Sequence, residues 1–138
     1  MTFMFYLDSC TCIDFLRGNA QEAYKVMRAS DPRLFGIPAV VEAELRAGVE
    51  KSKKPHENLL LLERFLLPFA IVPFDSDCAR EYATICSYLE RVGAPIEPND
   101  LLVAATARSH NATLVTNNIR EFKCVPGLRL ESWCDVEF

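Results

Sequence analysis

Four acidic side chains stand where a strand is expected to hand over to a helix, or in the first turns beyond one: Asp8, Glu44, Asp100 and Glu121. In open parallel sheets, ligands bind outside the carboxyl ends of the strands, so these junctions are where chemistry is expected. If Asp8, Glu44 and Asp100 converge to ~5 Å, each ionised pair costs about 3 kcal/mol at an effective dielectric of 20. Three such pairs exceed half the stability of a typical small domain. A fold relieves that repulsion by protonating an acid or by holding a cation. Oxygen donors alone select a hard ion such as Mg²⁺ or Mn²⁺ over zinc. An ion of that kind with open positions binds a phosphodiester, acidifies water and stabilises a leaving oxygen.

Each acid taken singly has a plainer role. Asp8 can cap the first helix. Asp100 can complement a helix dipole. Glu121 can be a surface-turn acid. Glu42 and Glu44 point about 200° apart on a helix, so at most one faces the crevice. Glu44 lies beside the core-facing row Val41, Leu45 and Val49, which leaves Glu42 to solvent. Other chemistries lack their residues. There is no GxGxxG or GxxxxGK[ST] loop for nucleotide phosphates and no GxSxG elbow. His56 and His110 are too few for a three-histidine zinc site, and Cys10 with Cys12 has no recognisable ligand spacing. An aspartyl-phosphate enzyme built on Asp8 is disfavoured because Cys10 stands where a second acid is wanted.

The elements that must carry these residues follow from pattern. Phe3–Leu7 reads as a buried strand. A short helix follows, with a loose Thr11-x-x-Asp14 capping box, and then a polar helix near 20–29. Leu34–Val41 reads as a second strand feeding a helix with Glu42 and Glu44. Lys51–Pro55 breaks the pattern before an apolar helix at 59–67 and a strand at 70–72. Asp75-Ser-Asp77 opens a helix to about Arg91. Asn99-Asp100 opens another whose body is apolar nearly all round and so belongs in the interior. Asn111 fits a left-handed helix end. Strand 113–116, a helical turn at 120–122 and a strand at 128–130 complete the chain. Strands alternating with helices predict an α/β fold, an α/β/α sandwich around a central, mostly parallel sheet.

The chain has 138 residues, half of them apolar and a quarter charged. That predicts a single domain over 1–138 with a full hydrophobic core. The net charge of −4 argues against an overall basic coat for nucleic acid but leaves room for a local basic patch. Six cysteines with no export signal are expected to be reduced thiols in a cytoplasmic protein. No apolar run reaches the ~18 residues a membrane span needs, and the N-terminus has neither a basic leader nor a cleavage site.

Five blocks in chain order resemble one family. Leu7-Asp8-Ser-Cys-Thr-Cys-Ile13 is similar to the LDTNxxI opening of PIN-domain ribonucleases. Val41–Ser52 resembles their AELxxGxxxS helix, Pro98–Ala107 their NDLLIAAxA segment, Thr113–Phe122 their TLVTNNxREF segment and Pro126–Trp133 their closing PGLRxExW. Within that family the likeness is to the VapC-type toxins of bacterial toxin–antitoxin modules. The resemblance implies an Mg²⁺- or Mn²⁺-dependent endoribonuclease, homodimeric and held inactive by a VapB-type antitoxin. It matches Asp8, Glu44 and Asp100 to an acidic triad, with Asp8 and Asp100 as metal ligands. Glu121 matches a fourth acid, but other members place that acid where Asn118 stands, so both are candidates. Ser9-Cys10 replaces the usual Thr-Asn, a departure that bears on the geometry of that loop. The alternative is a domain that has lost catalysis and only binds RNA or a partner. Arg17, Arg46, Lys51–Lys54, Arg120 and Lys123 are candidate contacts to an RNA backbone. The apolar face of 59–67 is a candidate antitoxin groove, with core or dimer contact as alternatives.

Overall fold

The computed structural model describes residues 4–133; the readings of Phe3 as strand and Cys134 as a thiol lie outside that range. Five short strands form one sheet: β1 (Phe5–Leu7), β2 (Phe35–Pro38), β3 (Ala70–Val72), β4 (Thr113–Val115) and β5 (Arg129–Glu131). Their order is β3-β2-β1-β4-β5, and every neighbouring pair is parallel. Seven helices join and cover them: α1 (Ser9–Leu16), α2 (Gln21–Ala29), α3 (Ala39–Glu50), α4 (Pro55–Leu66), α5 (Ser76–Val92), α6 (Pro98–Ser109) and α7 (Ile119–Phe122). Parallel strands need crossovers, and the helices supply them. The expected α/β/α arrangement is present.

β1 is the central strand, which is why Tyr6, Leu7 and Asp8 are all buried. The backbone amide of Asp8 donates to the Val115 carbonyl (2.9 Å), so the pairing with β4 continues through the first acid. Gly36 lets β2 pass beneath Tyr6: a Cβ there would sit 3.0 Å from the Tyr6 ring and from Val72 Cγ2. α6 buries Leu101, Val103, Ala104, Ala105, Thr106 and Ala107, the interior position its composition predicts. Asn111 adopts φ 55° just past α6, and Gly93 at φ 71° ends α5, both relieving the close of a helix.

Three differences from the sequence reading have a clear physical cause. β2 stops at Pro38, and Ala39–Val41 already belong to α3. Val41 is buried and Val40 packs on the core, so packing outweighs the weak β preference of a Val-Val pair. α4 starts at Pro55 rather than 59, because proline at a first helical position has no amide to waste. The capping box at 11–14 does not form. Asp8 caps α1 by accepting from the Ser9 amide (2.9 Å), while the Thr11 hydroxyl donates to the Val115 carbonyl (3.2 Å) and ties α1 to β4. No helix among the described residues is long and apolar enough to cross a membrane.

Candidate active site

Parallel pairing puts the carboxyl ends of β1, β2 and β4 along one edge, and the acids gather there. Asp8 follows β1 directly. It is 3% exposed, and both of its oxygens accept hydrogen bonds. Oδ1 accepts from the Ser9 amide (2.9 Å), and Oδ2 accepts from the Thr116 hydroxyl (2.8 Å) and from the Cys10 thiol (3.5 Å). Thr116 is fully buried and also accepts from the Asn118 amide (3.0 Å). Cys10 in turn accepts from the Asn117 amide (3.3 Å), so this thiol joins the loop after β1 to the loop after β4. Asn117 donates its side-chain amide to Asp14 on α1 and closes the same connection. That is the role Ser9-Cys10 takes on in place of the usual Thr-Asn.

Glu44 projects from the second turn of α3. Its Oε1 is buried and has no hydrogen-bond partner. Burial pushes its carboxyl above the usual carboxylate range, the charges of Asp8 and Glu97 push it further, and a hydrogen bond with the Ser9 side chain offsets part of the rise. A buried, unpaired carboxylate oxygen is costly, because it has surrendered water and received nothing in return. Glu42, two residues earlier and on the other face of α3, is half-buried and forms an ion pair with Arg46 (2.9 Å).

Asp100 lies in the first turn of α6 and is pushed up to about 7. Desolvation is the largest cause, followed by a shared hydrogen bond with the Glu121 carboxyl and the charges of Glu121, Asp8 and Glu97. Glu121, on α7, accepts from the Glu97 amide (3.2 Å) and from the Asn118 side-chain amide (2.7 Å). Asn118 thus orients Glu121. The two candidates for the fourth position are partners, joined side chain to side chain.

Glu97 is the residue that the sequence reading overlooked. It caps α6 by accepting from the Asp100 amide (3.1 Å), and its charge reaches both Glu44 and Asp100. Its signal was the order Glu-Pro-Asn-Asp, with proline at the first helical position and hence an acid at the cap. Thr116 and Cys10 were hidden differently. Thr116 sits one residue beyond β4 and Cys10 three beyond β1, and only strand pairing makes them neighbours.

Asp8, Glu44, Glu97, Asp100 and Glu121 therefore share one electrostatic field. Among the described residues, no three Asp, Glu, His or Cys groups stand close enough to enclose an ion by themselves. The donors are oxygens, one is orphaned and one is protonated near neutrality, so the residues fit a hard dication. Cys12 is fully buried in the core, and burial holds its thiol well above the usual range, with the charge of Asp8 adding to the rise. The five described cysteines are free thiols. Arg46 bridges Glu42 and Glu63 (2.6 Å), so of the basic candidates it is already committed to acids.

A parallel five-stranded α/β/α fold with carboxylates collected on its carboxyl edge defines a class of acid-rimmed nucleases. The PIN domain family model matches residues 5–128, and the chain belongs to that family. It is 38% identical over 131 residues to Ribonuclease VapC2 of Rickettsia felis, covering 94% of this chain and 98% of that one. It is 34% identical to the tRNA(fMet)-specific endonuclease VapC of Salmonella typhimurium, again over 94% and 98%. Among solved structures, the fold matches VapBC2 of R. felis bound to a promoter DNA fragment (TM-score 0.88, 36% identity, 95% and 99% covered). It also matches DNA-bound VapBC of S. typhimurium (TM-score 0.90, 33% identity, 96% and 99% covered). The resemblance to VapC-type nucleases stated from five sequence blocks holds across nearly the whole chain. Nucleases of the PIN family are generally dependent on a divalent metal.

Proposed function

We propose that this chain is a single-domain, Mg²⁺- or Mn²⁺-dependent endoribonuclease of the VapC type, acting in the cytoplasm and neutralised by a VapB-type antitoxin. The observation that carries the reading is the acidic rim, where Glu44 keeps an unpartnered buried oxygen and Asp100 is pushed up to about 7. Capping accounts for Asp8 and Glu97 but not for the clustering of Glu44, Asp100 and Glu121 beside them, a repulsion that a dication would relieve.

Asp8, at the end of β1, and Asp100, in the first turn of α6, would hold the ion. When bound, the ion supplies positive charge to the scissile phosphate and acidifies water beside it. The protein's own part is positional. Thr116, Cys10 and the Ser9 amide fix the Asp8 carboxylate, so Asp8 meets a cation without reorganising. Glu44, with its free Oε1, is placed to accept a proton from attacking water. Glu121, oriented by Asn118 and by the Glu97 amide, extends the acid rim on the far side of Asp100. Asn118 would also contact a substrate phosphate.

The test is cleavage of RNA with Mg²⁺, with Mn²⁺ and with EDTA, comparing the native chain with Asp8→Ala and Asp100→Ala. Metal-dependent cutting that both substitutions abolish supports the reading. Cutting that survives EDTA or either substitution refutes it.

The antitoxin has a plausible seat. A groove of about 320 Å³ runs between α1, α3 and α4, lined by Ile13, Leu16, Leu45, Val49, Leu61 and Leu62, and Glu44 stands in its wall. α4 presents Leu62, Phe65 and Leu66 to the core but leaves Leu60 58% and Leu61 55% exposed. The face proposed from sequence at 59–67 is thus divided between core and groove. A homodimer belongs to the same reading, and light scattering of the purified chain checks it.

A further inference from the structure

The rim poses a problem for its own substrate. Five carboxylates and a net charge of −4 repel a polyanion, so RNA must be held by cations that no acid has already claimed. Several cations are already engaged. Arg33 pairs with Asp31, Arg46 with Glu42 and Glu63, Arg80 with Asp77, Arg108 with Glu81, Lys25 with Glu22 and Lys54 with Glu57. Arg28 and Arg91 lie over the rings of Tyr24 and Tyr88.

Three cations beside the rim are different. Arg120 and Lys123 lie on either side of Glu121, are exposed, and sit three residues apart, so they share one face of that turn. Arg17 ends α1, the helix that Asp8 begins, about 13 Å along its axis. It lines the same groove as Glu44. Among the described residues, these three side chains have no ion pair, hydrogen bond or ring contact. Lys51, Lys53 and Arg64 are unpaired too, but none of them adjoins an acid of the rim in the way these three do.

Resting on the nuclease reading above, we infer that Arg120 and Lys123 on one side and Arg17 on the other bind the RNA phosphates flanking the scissile one. The strand then crosses the acids from α7 toward the α1–α3 groove, and the phosphate between the two cation sets is the one left facing the carboxylates. Leaving the cations unpaired makes them available without first breaking an ion pair, which is the difference between them and Arg46. Phosphate contacts of this kind fix register and carry no sequence information.

The experiment is fluorescence anisotropy of a short labelled single-stranded RNA with the native chain in EDTA, titrated across salt concentrations. The comparison is with Arg17→Gln, Arg120→Gln/Lys123→Gln and the triple variant. Each lost phosphate contact should flatten the log–log salt slope by about 0.7, hence about 2 for the triple. Arg33→Gln, at the amino-terminal end of β2 and away from the carboxyl edge, should leave the slope unchanged. In Mn²⁺, the triple variant should raise KM several-fold with kcat nearly retained, the mark of binding lost equally from ground and transition states. An unchanged slope in the triple variant overturns the path. So does a triple variant that binds RNA normally and loses only antitoxin binding, since the cations would then belong to that partner. If the native chain neither binds nor cuts RNA, it is the nuclease reading that has failed, a result distinct from either of these.

Discussion

Asp8 and Asp100 lie on the same rim and carry the same functional group, yet the fold treats them oppositely. Asp8 is buried and accepts hydrogen bonds on both oxygens from Ser9, Thr116 and Cys10. Asp100 is less buried but faces Glu121, Glu97 and Asp8, and it is pushed up to about 7. One carboxylate is held by donors and the other is set against acceptors. For Asp100 desolvation comes first, and the acids around it push in the same direction. Half of this rim is preorganised, and the other half stores repulsion for a cation to release.

The largest expected effect tests whether the two halves act together. Asp8→Asn and Asp100→Asn should each reduce metal-dependent RNA cleavage by about 10³-fold, the loss expected when several kcal/mol of charge stabilisation disappear. If one of them retains near-native turnover, only the other half holds the ion. Next comes the scaffold of Asp8. Thr116→Val removes the 2.8 Å bond to Oδ2 and should weaken Mn²⁺ binding about 10–100-fold by calorimetry, with little change in melting temperature when metal is present in excess.

Stability without metal should separate the pair by sign. Asp8→Ala loses a helix cap and strands the Thr116 hydroxyl, so it should cost about 1–3 kcal/mol in denaturant melts. Asp100→Asn removes a repelled charge and should stabilise the metal-free protein by about 1–2 kcal/mol, after allowing for solvent screening of a partly exposed group.

The same contrast appears against pH. The folded state binds the Asp100 proton more tightly than the unfolded chain does, so between about 4 and about 7 the native state holds the extra proton. This group's contribution to metal-free stability should therefore fall as pH rises through that window, and Asp100→Asn should remove that part of the slope. Excess Mn²⁺ should offset it, and metal affinity should increase toward and above pH 7. The smallest effect belongs to Cys10→Ser. A hydroxyl can keep the bonds to Asp8 and to the Asn117 amide, so melting should shift by about 0.5 kcal/mol or less. A large loss of Mn²⁺ affinity in this variant would mean that the sulfur does more than hold the loop.

Much of this molecule was legible in its sequence. The apolar runs at 5–7 and 114–115 marked the inner strands, and the apolar girth of α6 marked the interior helix, because burial on all sides leaves no polar face to write. The apolar run at 70–72 marked a strand too, but one at the sheet edge with Ala70 and Ile71 exposed. Strand-to-helix alternation implied the crossovers, and the crossovers implied that Asp8, Glu44 and Asp100 end up on one edge. What sequence reading missed was decided by through-space partners. Thr11 looks like a capping residue until β4 offers it a carbonyl. Arg46 looks like an RNA contact until α4 brings Glu63 beside Glu42. Glu97 looks like a loop acid until α6 and α7 meet across it.

The sequence by itself determined which groups are available and at which ends of which elements, since side-chain periodicity and capping are local rules. Only the tertiary structure decided their electrostatic state. Whether a carboxylate receives an amide, a hydroxyl or another carboxylate depends on strands separated by more than a hundred residues, as Asp8 and Thr116 are, and a charge responds to distance in space rather than along the chain.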